Sequence, residues 1–84
     1  MLRIFYFASL RERLQTEGES LVRPDSVFTV EQLRDHLHNR GGVWSETLGS
    51  EASLLYAVNQ ELVRPDAKLG DDDEVAFLPP VTGG

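Results

Sequence analysis

From Leu2 to Ala8 apolar and other residues alternate, with Leu2, Ile4, Tyr6 and Ala8 facing one way and Arg3, Phe5 and Phe7 the other. That two-residue period predicts a β-strand, and its aromatic and branched content suits one. Ser9 is placed to cap a short helix in which Leu10 and Leu14 share a face, while Arg11, Glu12 and Arg13 point to water. Glu17-Gly18-Glu19 reads as a turn. A second strand over Ser20–Arg23 then pairs back on the first as a hairpin and stops at Pro24-Asp25.

Thr29-Val30-Glu31-Gln32 has the form of a capping box, in which the Thr29 hydroxyl and the Gln32 side chain each satisfy a backbone N–H that the helix leaves unpaired. Phe28 before it and Leu33 within it would form the accompanying hydrophobic staple. Val30, Leu33 and Leu37 recur at helical spacing and give the main helix one apolar stripe, until Gly41-Gly42 ends it. Trp44–Ser53 has room for a short helical turn. Leu54–Asn59 reads as a buried strand, Asn59-Gln60 as a turn because asparagine tolerates left-handed φ, and Leu62-Val63 as a short edge strand before Pro65. Asp71-Asp72-Asp73 leads into a last strand, Glu74–Leu78, which Pro79 ends because it lacks an N–H.

This order, strand, strand, helix, strand, strand, predicts an α+β domain in which a mixed sheet grips one main helix, the β-grasp arrangement, over residues 1–80. The helix covers one sheet face, and the other should be polar unless something docks there. Phe5 and Phe7 share the outer side of the first strand, and Ala76 and Leu78 share one side of the last. If these strands are neighbours, the outer face carries an apolar patch of the kind that marks an interface.

The 84 residues allow a single small core. With 40% hydrophobic and 26% charged residues, the composition is that of a folding globular chain. No cysteine is present, which excludes disulfides, iron–sulfur clusters, thiolate zinc sites and thiol nucleophiles. A net charge of −6 with scattered basic residues argues against binding nucleic acid or an anionic membrane surface. The N-terminal residues lack the pattern of a secretory leader, and no apolar run is long enough to span a bilayer, so a cytoplasmic location is expected.

The last residues are the most unusual. Pro79-Pro80 favours an extended exit from the final strand, after which Val81, Thr82, Gly83 and Gly84 form a tail. From Pro80 onward such a chain reaches roughly 16–18 Å, enough to enter another protein's active site. A glycine pair carries no Cβ to block a narrow channel and leaves the terminal carbonyl open to attack. The free carboxylate is ionised at neutral pH and must be activated, as by conversion to an acyl-adenylate, before a nucleophile can react with it. Without cysteine, that acyl terminus is the place where this chain could carry reactive sulfur. The other reading is a frayed end.

Phe7-Ala8-Ser9-Leu10-Arg11-Glu12, Ala57-Val58-Asn59-Gln60 with Leu62-Val63, and the closing run from Asp73 to Gly84 together resemble the small subunits of molybdopterin synthase, ubiquitin-like sulfur carriers, over the whole chain. The resemblance implies a β-grasp fold and a C-terminal Gly84 adenylated by a ubiquitin-activating-type adenylyltransferase that uses ATP. Gly84 would then become a thiocarboxylate, and the tail, with Val81, Thr82 and Gly83 threading it, would deliver sulfur to cyclic pyranopterin monophosphate inside the large subunit. It also implies that Phe7, Leu62 and Leu78 dock on the partner, with Leu78 at a position that is aromatic in some relatives, and that Arg11, beside Glu12, contacts it. On this reading the chain binds no cofactor or metal of its own and is not an enzyme alone. Two rivals stay open: a carrier for thiazole synthesis or RNA thiolation, and a ubiquitin-like module that binds or forms an amide.

Other candidates are weaker. His36 and His38 stand two apart on the predicted helix and point in different directions, whereas helical metal pairs stand three or four apart. The acidic run from Asp71 to Glu74 lacks the spacing of a calcium loop. Ser9 and His36 invite a hydrolase reading, but no nucleophile elbow surrounds any serine.

Overall fold

The computed structural model describes residues 1–49 and 52–80. The tail expected over Val81–Gly84 lies outside the described residues. The elements are β1 (Leu2–Tyr6), α1 (Ala8–Leu14), β2 (Gly18–Leu21), α2 (Val30–His38), α3 (Val43–Leu48), β3 (Leu55–Val58), β4 (Glu61–Val63) and β5 (Glu74–Leu78). The strands form one mixed sheet in the order β2-β1-β5-β3-β4, with β1 and β5 parallel at its centre and the other neighbours antiparallel. This is the expected β-grasp arrangement.

The alternation in β1 sends Leu2, Ile4 and Tyr6 into the core, where Val75 and Phe77 of β5 meet them. Helix α2 contributes Val30, Leu33 and Leu37, each fully buried. Its capping box is present: Gln32 N–H donates to Thr29 Oγ1 at 3.2 Å, and Thr29 N–H to Gln32 Oε1 at 3.1 Å. The staple beside it is not built as expected. Leu33 goes to the core, whereas Phe28 stays exposed with the Arg23 guanidinium 5.6 Å over its ring.

Three expectations shift near the N-terminus. Ala8 does not continue the inner row of β1; it opens α1 with a left-handed φ of 51°. The cap of α1 is Phe7, with no side-chain hydrogen bond, rather than Ser9. The second strand begins at Gly18 and ends at Leu21, instead of running over Ser20–Arg23, because Gln15, at φ 57°, turns the chain earlier than Gly18 could. Gly18 pairs with Phe5, and a Cβ there would sit 2.2 Å from the Ile4 carbonyl oxygen, so glycine serves close strand approach and not the turn.

The short helical turn expected within Trp44–Ser53 is α3, which begins one residue earlier, at Val43, and ends at Leu48. Two polar assemblies tie it down. Glu19 accepts the Tyr6 hydroxyl at 3.0 Å and a two-pronged Arg40 contact at 2.8 and 2.6 Å, while Arg40 stacks 4.5 Å over Trp44. The Arg40 hydrogen bonds hold the Glu19 carboxyl below its ordinary range, and burial pushes the Tyr6 hydroxyl far up. The second assembly is Arg34, buried on the core side of α2. Its guanidinium donates to Leu48 O at 2.9 Å, Tyr56 Oη at 2.6 Å, Ala52 O at 2.7 Å and Gly49 O. It thereby satisfies carbonyls at the end of α3, where a cation also suits the helix dipole.

The acidic run is part of the fold. Asp73 accepts from Gly70 N at 2.7 Å and Asn59 Nδ2 at 3.1 Å, Asp71 pairs with Arg23 at 2.7 Å, and Asp72 pairs with the N-terminal ammonium at 2.6 Å. Asn59 and Gln60 form the predicted turn with φ of 50° and 71°. Asn59 Oδ1 also accepts Glu74 N–H at 3.1 Å, fixing the start of β5. Among the described residues no helix is long and apolar enough to cross a membrane.

Candidate functional site

The strand registers place the outer-face residues in rows. The first is Ser20, Arg3 and Glu74, a polar row with opposite charges directly across from each other. The next crosses the whole sheet: Gly18, Phe5, Ala76, Ala57 and Leu62. Beyond it, Leu78 pairs with Leu55, and Phe7, whose N–H donates to Phe77 O at 3.2 Å, continues β1 alongside. The outer face therefore changes from charged to apolar along β5, toward the end from which Pro79 and Pro80 leave the sheet.

The apolar rows are open to solvent. Leu62 is 70% exposed, Phe7 44% and Phe5 38%, and Leu55, Ala76 and Leu78 are half-buried. In the middle of that row Ala76, half-buried, and Ala57, buried, lie between Phe5 and Leu62. A contiguous apolar surface on the uncovered side of a half-covered sheet is what a docking partner would bury.

Of the residues expected to dock, Phe7 and Leu78 are adjacent, and Leu62 stands two strands from β5 on the same face. Arg11 is exposed on α1, one turn beyond Phe7, whose carbonyl accepts Leu10 N–H at 3.1 Å. Gly84, expected to carry the acyl chemistry, and Val81, Thr82 and Gly83, expected to thread the tail, lie outside the described residues. Phe5 belongs to the patch at least as fully as Leu78. Leu55 was not foreseen there, although its place next to inward Tyr56 in an alternating strand signals it.

The alternative sites do not assemble. His38 Nε2 lies 3.3 Å from Ser45 Oγ, whereas His36 lines a shallow depression with Asp35, Gln32 and Asn39. No group of three or more histidine or acidic side chains able to hold a metal occurs among the described residues. Arg34 was the residue missed. Positions 30, 33, 34 and 37 make up the buried face of an amphipathic helix, so an arginine at the third of them signals a buried cation with fixed partners.

Comparison with known proteins agrees with this architecture. The chain is 43% identical over 84 residues to the molybdopterin synthase sulfur carrier subunit of Escherichia coli (strain K12), covering 100% of both chains. A putative molybdopterin converting factor, subunit 1, from Pyrococcus furiosus superposes with a TM-score of 0.75 at 26% identity, covering 95% of this chain and 97% of that one. The small archaeal modifier protein 1 of Methanosarcina acetivorans superposes with a TM-score of 0.74 at 26% identity, over 99% and 95% of the two chains. The model of the ThiS family matches residues 4–84, and the chain belongs to that family.

Proposed function

We propose that this chain is the sulfur-carrier subunit of a molybdopterin synthase and acts in molybdenum cofactor biosynthesis. The observation that carries the reading is the apolar outer face, with Phe5, Phe7 and Leu62 exposed, running to the end of β5 that Pro79 and Pro80 follow. The full-length likeness to a named sulfur carrier subunit supports it.

In this reading the Gly84 carboxylate attacks the α-phosphorus of ATP on a ubiquitin-activating-type adenylyltransferase, and pyrophosphate leaves. Hydrosulfide, supplied by the sulfur donor, then attacks the acyl carbon, a C–S bond forms as the C–O bond to AMP breaks, AMP departs with the electron pair, and loss of the S–H proton leaves a thiocarboxylate. Phe7, Leu62 and Leu78, with Arg11 at the rim, seat the domain on the large subunit. Val81, Thr82 and Gly83 thread the tail toward cyclic pyranopterin monophosphate. The chain works in the cytoplasm, binds no cofactor and is no enzyme by itself: ATP belongs to the activating partner and the pterin pocket to the large subunit.

Intact-mass measurement after incubation with the adenylyltransferase, ATP and a sulfur donor tests the proposal. A gain equal to one oxygen exchanged for sulfur is expected for the full chain and not for a chain lacking Gly84. An unchanged mass, with the enzyme competent on another carrier, would sink it. The likeness to an archaeal modifier protein favours amide conjugation as the second reading, which would give Gly84 linked to an amine in place of the sulfur exchange.

A further inference from the structure

Four of the 8 basic side chains are committed within the fold. Arg3 stands opposite Glu74, Arg23 pairs with Asp71 at 2.7 Å, Arg40 pairs with Glu19 at 2.6 Å, and Arg34 is buried on carbonyl oxygens of α3 and the segment after it. Arg64 is exposed, and among the described residues no carboxylate pairs with it. In a chain with 14 acidic residues, such a cation lowers the net charge and does nothing for solubility.

Register and a pinned turn set its place. Val63 packs against the core from β4 and pairs with Tyr56, so Arg64, one residue on, falls opposite Leu55, which pairs with Leu78. Pro65 keeps the residue before it extended, and strand alternation then turns Arg64 to the outer side with Leu62. The outer row of Phe7, Leu78 and Leu55 thus ends in a cation at the sheet edge, while Arg11 stands past its other end. The turn after Arg64 is closed by Ala67 N–H on Arg64 O at 3.0 Å. Val30 and Glu31 N–H groups, which the first turn of α2 leaves unpaired, reach Ala67 O at 3.0 Å and Pro65 O at 2.9 Å. The backbone that carries Arg64 is therefore tied to the main helix, and docking has only the side chain left to order.

We propose that Arg64 is a further docking residue, which seats the edge of the apolar face by donating its guanidinium to a carboxylate of the large subunit. This rests on the carrier reading. The planar fork of arginine matches a carboxylate with two parallel N–H donors, and arginine bordering an apolar contact is a common anchor between proteins. Asp66 sits in the turn after Arg64 and Glu12 follows Arg11 on α1, both exposed. The pairing is therefore local, one guanidinium on one carboxylate, and not the pull of a broad basic field.

The test is calorimetric titration of the full chain into the large subunit, at low and raised salt, for the wild type, Arg64→Ala, Arg64→Glu, Arg64→Lys and Lys68→Ala. Arg64→Ala should weaken binding on the order of tenfold. Arg64→Glu should weaken it on the order of a hundredfold, because it sets like charge against the carboxylate. Arg64→Lys should fall between wild type and alanine, since a point charge does not reproduce the fork. Wild-type affinity should decline with salt more steeply than that of Arg64→Ala. Lys68→Ala removes the same charge on the helix side, where Lys68 is bridged to Thr29 at the cap of α2, and should bind within about twofold of wild type. Wild-type binding by Arg64→Ala and Arg64→Glu would overturn the proposal, as would an equal loss in Lys68→Ala, which would make the effect one of net charge. A wild-type chain that fails to bind the large subunit sinks the carrier reading and this proposal together, whereas the variant results sink this proposal alone.

Discussion

Phe77 and Leu78 are neighbours in β5, yet they serve different ends. Phe77 is fully buried, stacked on Tyr6 with ring centroids 6.1 Å apart and set edge-on to Tyr56 at 5.7 Å. Leu78 sits half open on the other face between Phe7 and Leu55. The same alternation that builds a core on the helix side builds an apolar surface on the outer side. Composition alone does not separate the two; burial does. Inner-face changes should cost stability, and outer-face changes should cost association while the fold persists.

The largest stability effect is expected for Phe77→Ala, about 3–5 kcal/mol by denaturant unfolding, since it opens a cavity beside its two aromatic partners, Tyr6 and Tyr56. Arg34→Met should follow at about 2–3 kcal/mol, because it removes the guanidinium donor from the carbonyls of Leu48, Gly49 and Ala52, of which Gly49 O keeps the Ala52 N–H at 2.9 Å. Asn59→Ala should cost about 1–2 kcal/mol, by placing alanine at a left-handed φ and breaking the links to Asp73 and Glu74. On the other face, Phe7→Ser and Leu62→Ser should change stability by no more than about 1 kcal/mol. The same two changes should weaken binding to the large subunit on the order of tenfold to a hundredfold, read by calorimetry. Outer-face variants that unfold the protein would break the comparison.

The smallest effect tests the polar link between strands and helices. The folded-state carboxyl of Glu19 titrates below its ordinary value of about 4.3, so its stabilisation is complete above that value and is lost as pH falls through the depressed one. Glu19→Gln should therefore be less stable than wild type at neutral pH and converge with it in acid, as thermal melts across that range would show.

Much of the fold was legible because its signals are local. The Thr29/Gln32 box, the Val30, Leu33 and Leu37 stripe, the Asn59-Gln60 turn and the alternation of β1 and β5 each depend on residues a few positions apart. What failed were readings in which two explanations suited one residue. Gly18 looked like a turn and proved to be a close strand contact. Ser9 looked like a cap, but a left-handed Ala8 brings the helix in directly after Phe7. Arg34 was missed because its partners come from α3, β3 and the segment between them.

The sequence by itself determined the elements, their order, the core stripe and the Gly83-Gly84 ending, because backbone preference and hydrophobic period are written in neighbouring residues. Only the tertiary structure decided that β1 and β5 lie side by side, and that Phe5, Ala76, Ala57 and Leu62 fall in one row. It also decided that the apolar rows lie at the end of the sheet where Pro79 and Pro80 follow β5. Those facts rest on strand register across distant parts of the chain, which is set by packing the whole sheet against one helix and not by any local stretch.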